Sequence, residues 1–252
     1  MHDGRSVKST KNMFAITELL CERNGAGITE LATELGLAKS TVFNHLNTMR
    51  EHGYVAKRDG EYYAGLQFFV TGNRVRRQHA LYEASKLELE ELSEETGEST
   101  WCVKRENGRV ISINGYAPNT SLNSDAAIGT SKPIHCTASG KAILADLPPE
   151  EVDSIVETYG LAAISGNTIT DVDELHRSLE LTHERGYALN LGEELEGYNS
   201  VGVSISTSES GIVGGISVGG AAHRLSREHC EETLAPLVMA TANDIEINLA
   251  YE

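Results

Sequence analysis

Residues 29–65, TELATELGLAKSTVFNHLNTMREHGYVAKRDGEYYAG, constrain the fold more than any other stretch: two helical patterns separated by a glycine, then two strand-like runs around Asp-Gly. Thr29 is a good N-cap for a short helix carrying Leu31 and Leu35, and Gly36 is placed to end it. Ser40 can cap a further helix running to about Gly53. In that helix Val42, Leu46 and Met49 fall at i, i+4 and i+7, so they share one face and should pack on the preceding helices. The first of those carries Met13, Ile16 and Leu20 at similar spacing. At about 100° per residue, Asn44 and Asn47 point away from the apolar stripe, with Ser40, Thr41 and Thr48 beside them and His45 on a flank. Asp59-Gly60 is a favoured two-residue hairpin turn, with Lys57 and Arg58 just before its tip. Three helices and a basic hairpin read as a winged helix-turn-helix, residues 1–77.

The exposed face of the third helix separates a packing helix from a reading helix. Solvated helix faces are commonly rich in Glu and Lys, whereas this one offers Ser, Thr and two Asn, with no carboxylate before Glu51. Asn can pair bidentately with adenine in the major groove, and Ser or Thr can bond bases or phosphates. A protein-binding or dimerisation role for such a module is the alternative.

Charge supports an encounter with DNA at one end only. The 252-residue chain has a formal net charge of −16. Residues 1–80 hold eleven Lys/Arg against eight Asp/Glu, a balance of +3, which leaves −19 for the remainder. So acidic a body, with only eight lysines in the chain, resembles proteins from cells of high internal salt. There is no apolar run near the roughly 18 residues of a membrane span. The amino terminus lacks the apolar core of a signal peptide, so a cytoplasmic protein that does not engage membranes is expected. Cys21, Cys102, Cys136 and Cys230 are far apart and form no C-x-x-C pair, which predicts buried free thiols.

Between Gly72 and Gly97, Arg74, Arg76 and Arg77 precede a helical pattern in which Leu81, Ser85 and Leu92 share a face flanked by Ala84 and Leu89. Residues 78–97 are expected as one linker helix, packed against a partner chain; roughly 20 residues of helix span about 30 Å. Beyond Gly97, "STWCVKR" with "RVISING" and "SVGVSIS" with "GIVGGISVGG" read as antiparallel pairs, turning at Glu106-Asn107-Gly108 and at Ser208 to Ser210. Helical patterns run through 141–146, 150–159 and 171–185, the last with Asp171 and Glu174 as a capping box and Gly186 as a stop. A final helix, from Ser226 to about Leu249, should bend near Pro236. The expected class is α+β: a winged helix-turn-helix, a linker helix, and an antiparallel sheet with packed helices over 98–252.

No catalytic or metal motif stands out in this body. "SGKA" at 139–142 resembles a phosphate loop, but His135 stands where its first glycine belongs and Ala142 where magnesium needs Ser or Thr. His135 and Cys136 are neighbours, which in an extended segment point to opposite faces. His176 and His183 can share a helix face, but two ligands without a suitably spaced third make a poor metal site, so a solvated pair is expected.

Four blocks in order carry a family resemblance: "LATELGLAKSTVFNHLNTMREHGYV" with the wing "KRDGEYYAGL", "PIHCTASGKAILADL", "HERGYALNLGEELEG" and "GISVGGAAHRLS". The chain resembles IclR-type transcriptional regulators over nearly its whole length. The resemblance implies a GAF-like effector domain whose small-molecule pocket biases DNA binding, in dimers or dimers of dimers. By position, the pocket would use the backbone at Ala138 and Ser139, with Asn190, Ser200, Ser217 and Gly219. "TASGKA" opens a helix, and free amides at a helix start suit a carboxylate such as an organic or sugar acid. Asn190 stands where an acidic residue is frequent in the family, Ser200 where cysteine often occurs, and Asn44 in place of a common arginine.

The expected function is therefore a sequence-specific regulator that binds double-stranded DNA at a palindromic operator and needs no cofactor, metal or catalytic residue. Lys39, Lys57 and Arg58, with Arg5 and Lys8, would meet phosphates, while Ser40, Thr41, Asn44 and Asn47 face bases and His45 lies at the edge. Two other classes compete: a ligand sensor that contacts protein, and a metabolic enzyme with a DNA-binding appendage.

Overall fold

The computed structural model describes residues 6–117, 128–208 and 211–251. Two compact units divide the chain, Met1–Gln78 and His79–Glu252.

The first unit runs α1 (Lys8–Arg23), α2 (Ile28–Glu34), α3 (Lys39–Glu51), β1 (Val55–Arg58), β2 (Glu61–Ala64) and α4 (Gln67–Arg76). Val42, Leu46 and Met49 are buried with Ile16, Leu20, Leu31, Val55 and Tyr62 in one core, as the helical spacing requires. The hairpin turns at Asp59 and Gly60, both at positive φ (50° and 93°), the mirror-image turn that matches strand twist. Neither expected cap forms. Ala26 and Tyr62 exchange both backbone hydrogen bonds, which holds Ala26 extended and starts α2 at once, so Gly27 takes the cap position and Thr29 becomes its second residue. Likewise Thr41 and Val42 both donate to the Ala38 carbonyl, so Ala38 rather than Ser40 occupies the N-cap of α3. Arg5 lies outside the described residues, as does most of the expected turn at 208–210.

The expected single linker helix is broken. α4 ends at Arg76, His79 is extended, α5 covers Ala80–Ala84, and α6 covers Lys86–Thr96 after Ser85. The reason is tertiary: Leu81, Ala84, Leu89 and Leu92 enter the core of their own chain, where the correction to a partner-facing stripe also lies. Local propensity yields to burial there.

The second unit continues with β3 (Ser99–Glu106), β4 (Arg109–Tyr116), β5 (Ser131–Pro133), α7 (Ala138–Ala145), α8 (Pro149–Tyr159), α9 (Val172–Arg185), β6 (Ala188–Leu191), β7 (Tyr198–Thr207) and β8 (Gly211–Ala221). It closes with a turn of helix, Arg227–His229, a π-helical turn, Cys230–Leu234, and α10 (Ala235–Tyr251). The π turn sits just before Pro236, which has no amide to donate, so the bend expected at the proline takes this form. Six strands form one antiparallel sheet in the order β5-β4-β3-β8-β7-β6. Asn107 and Gly108, at φ 51° and 68°, turn β3 into β4. Asp171 caps α9 by accepting from the Glu174 amide, and Gly186 ends it at φ 80°.

Alternation gives the sheet two unlike faces. Cys102, Leu189, Val201, Val203, Ile205, Ile216 and Val218 meet Leu89, Val238 and Ile245 in the larger core. The opposite face carries small and polar side chains around Trp101, Val103 and Tyr198 and receives α7, whose Ile143 and Leu144 join Val103 and Val110 in a separate core. One cysteine departs from expectation: Cys21 is exposed, whereas Cys102, Cys136 and Cys230 are buried and free as expected. His135 and Cys136 lie in a 3-10 turn, Ile134–Cys136, rather than an extended segment.

Candidate functional site: a polar helix face with a basic wing, and a buried polar row

Burying Val42, Leu46 and Met49 turns the opposite face of α3 outward. Lys39, Ser40 and Asn44 are exposed; Thr41, His45 and Asn47 are half-buried. None of these six side chains takes part in a described hydrogen bond or ion pair. With no side-chain cap at Ala38, the first amides of α3 also lack an internal partner. Phe43, beside Asn44, is 45% exposed, although apolar side chains on such a helix are expected in the core.

On the wing, Lys57 and Arg58 are exposed. Lys57 Nζ stands 5.0 Å from the centroid of the Tyr62 ring, its cross-strand partner, and Arg58 Cζ 5.6 Å from that of Tyr63. Rings under both cations steady them over an apolar surface while leaving their donors outward.

Pairing across β6, β7, β8 and β3 brings together the residues expected at an effector site. Asn190 opposes Ser200, Ser200 opposes Gly219, and Gly219 opposes Ser99, a single row on one face. One step along, Ala188, Gly202, Ser217 and Trp101 form the next row. A Cβ at Gly202 would stand 2.5 Å from the Ser139 amide nitrogen, so glycine there lets the first turn of α7 rest on the sheet. Thr137 Oγ1 accepts from Gly140 N (3.0 Å) and its carbonyl from Lys141 N, and no described bond takes the Ala138 and Ser139 amides. Asn190, Ser200 and Ser217 are all buried, and Asn190 Nδ2 and Ser99 Oγ have no hydrogen-bond partner. Buried orphan groups of this kind are uncommon and mark a place where a ligand or water completes the bonding.

A charged network borders the row. Asn190 Oδ1 accepts from Glu193 N (2.8 Å), and Glu193 Oε1 pairs with Lys141 Nζ of α7, leaving Glu193 Oε2 unpartnered. Burial pushes Lys141 down and Glu193 up, each opposed by the charge of the other. Ser165 and Thr168 hold the Glu193 carbonyl at 3.0 and 2.6 Å, fixing this loop. No sequence motif announced Lys141 or Glu193; a buried lysine is visible only after folding.

The remaining candidates do not assemble a reactive centre. His135 Nε2 faces the Ala162 carbonyl at 3.1 Å and Cys136 Sγ the Pro133 carbonyl, so the two are not paired. Burial pushes the thiols of Cys102 and Cys136 up to about 12, far from the thiolate a nucleophile requires. His176 and His183 are each tied to a carboxylate, Asp153 at 2.8 Å and Asp146 at 3.2 Å, and line an open cleft of about 590 Å³ floored by Leu144, Val152 and Leu179. Among the described residues, no three His, Cys, Asp or Glu are grouped to hold a metal, and no helix is long and apolar enough to cross a membrane.

Known proteins match both halves. Residues 9–59 match the IclR helix-turn-helix domain, and residues 74–247 match the domain described as "Bacterial transcriptional regulator IclR C-terminal". The chain is 30% identical to the HTH-type transcriptional regulator KdgR of Escherichia coli (strain K12), over 98% of this chain and 94% of that one. It is 29% identical to the "Probable HTH-type transcriptional regulator ArcR" of Halobacterium salinarum, over 97% and 95%. The crystal structure of the Thermotoga maritima IclR superposes with a TM-score of 0.77 at 26% identity, covering 96% of this chain and 99% of that one. This chain belongs to the IclR family: it is a DNA-binding transcriptional regulator with an amino-terminal helix-turn-helix domain and a carboxy-terminal effector-binding domain.

Proposed function

We propose that residues 1–77 grip a roughly palindromic operator as part of a homodimer or dimer of dimers, with 78–97 connecting them to a sensor at 98–252. Lys39, Lys57 and Arg58 meet phosphates, helped by Lys8 and the uncapped amides of α3. Ser40, Thr41, Asn44 and Asn47 face base edges, with His45 at the rim and Phe43 available to a thymine methyl. The observation that carries this reading is the row of outward polar side chains on α3 with no partner among the described residues, beside a wing whose two cations are exposed.

Dimerisation is supported by apolar side chains that the first unit leaves outside: Phe14 on α1, and Leu66 and Phe69 at the start of α4, are 55%, 81% and 71% exposed. In the second unit, the amides of Ala138 and Ser139 receive the carboxylate of an organic or sugar acid, and Asn190, Ser200, Ser217 and Gly219 shape the rest of its site. The protein acts in the cytoplasm and catalyses no reaction; the high thiol pKa values and the unpaired His135 and Cys136 support that. An acidic body, with a charge of −19 beyond residue 80, suits high salt, where base contacts and dimer geometry carry more of the affinity than counterion release does.

The test compares two variants on selected operator fragments across a salt series. Lys57→Ala with Arg58→Ala should weaken binding to every sequence and reduce the salt slope by about 2, roughly one per lost phosphate contact. Asn44→Ala should instead relax sequence choice at one base pair, by about 1–3 kcal/mol. Equal loss of specificity in both removes this division of labour.

A further inference from the structure

The resemblance assigns Gly219 to the effector, yet another side chain already stands there. A Cβ at Gly219 would lie 2.5 Å from Tyr198 Oη and 2.8 Å from Tyr198 Cε1, so the phenol of Tyr198 covers this point of the row. Tyr198 reaches it from β7, two residues before Ser200 on the same face. The indole of Trp101, on β3, lies near the phenol and opposes the rise that burial imposes on it. Trp101 is itself wedged over Gly115, where a Cβ would lie 2.3 Å from Cε3. Two glycines therefore exist to seat two interlocked aromatic rings, and Ser99 Oγ is buried without a partner at that end of the row.

We infer that Tyr198 is a specificity-determining residue that closes the Gly219 end of the effector site and limits the effector to a short carboxylate. The inference rests on the effector site proposed above. Along β7, Ser200 is bounded by Tyr198 on one side and by the α7 backbone over Gly202 on the other. Across the sheet, that leaves Asn190 and Ser200 as the members of the row clear of the phenol, a reach of one to two strand spacings or about 5–10 Å. A three-carbon acid matches that reach, its carboxylate directed to the Ala138 and Ser139 amides and its remaining oxygen to the unpartnered Asn190 Nδ2. A six-carbon sugar acid must displace the phenol.

Calorimetry on the full chain with lactate and gluconate tests this, with the emission of Trp101, the only tryptophan, reporting occupancy. The expected result is lactate binding at least about tenfold tighter than gluconate in the wild type, since each extra methylene in a closed pocket is worth roughly tenfold or more. Tyr198→Ala should erase or invert that ratio, and Tyr198→Phe should move it less. Should the alanine variant fail to fold, Tyr198→Leu takes its place. A wild type that prefers gluconate, or a ratio unmoved by Tyr198→Ala, overturns the length limit. Ser200→Leu separates the two layers: lactate binding that survives it overturns the site, whereas binding lost there with an unmoved ratio overturns only the role of Tyr198. Binding of neither acid to wild type or Tyr198→Ala overturns both.

Discussion

In the first unit the side chains proposed to meet DNA, such as Ser40, Asn44, Lys57 and Arg58, are exposed, while Leu66 and Phe69 stand outside the core. In the second, the side chains proposed to meet an effector, Asn190, Ser200 and Ser217, are buried along with Lys141 and Glu193, and large apolar residues fill the opposite face of the sheet. A surface reader keeps its polar atoms hydrated until DNA arrives, so each can change without disturbing the fold. A sensor has already desolvated its polar atoms, so their bonding is part of its stability.

The sharpest test of that contrast is Lys141→Met. Removing one member of a buried ion pair leaves the other charge uncompensated and should destabilise the effector unit by about 3–5 kcal/mol, while the double variant Lys141→Met with Glu193→Leu should be near neutral. The loss should depend on pH. Without the lysine, Glu193 keeps the burial that raises its pKa above 4.5 and loses the charge that opposes it. A carboxyl raised in the folded state contributes stability below its unfolded pKa and loses it as pH rises through the folded one, so the single variant should be firmest in acid and weaken toward neutrality. Chemical denaturation at several pH values checks this; a single variant as stable as the double would break the comparison.

A smaller effect is expected at Gly202, where any side chain meets the backbone of Ala138 and Ser139. Gly202→Val should cost about 1–3 kcal/mol and abolish acid binding. Hydrogen exchange should rise in β7 and α7 but not in α1 to α3, and a uniform rise would show that the units do not respond separately. Smallest of all is Phe69→Ser. An exposed residue should change the stability of the first unit by less than about 0.5 kcal/mol, yet sedimentation should shift toward the monomer. An unchanged mass would remove α4 from the proposed dimer surface.

How much was legible follows the same divide. The core of α3 was readable because Val42, Leu46 and Met49 lie within two turns, and the hairpin because Asp59-Gly60 carries its own turn preference. The caps expected at Thr29 and Ser40 do not form, since the Ala26–Tyr62 bridge and the Ala38 carbonyl, not local propensity, decide where α2 and α3 begin. The linker broke at His79 without a Gly or Pro to signal it, because Leu81 and Leu89 are drawn into the sheet core.

By itself the sequence determined what neighbours along the chain can settle: helix faces, tight turns, the charge of each part, and the four blocks that place the chain in its family. Only the tertiary structure decided what depends on distant strands meeting. Asn190, Ser200, Gly219 and Ser99 come from four strands, and their shared row is a matter of register. Lys141 finds Glu193 fifty-two residues away, and Tyr198 covers Gly219 because both lie on one sheet face. Periodicity fixes which way a side chain points; the burial of a whole sheet fixes what it meets there.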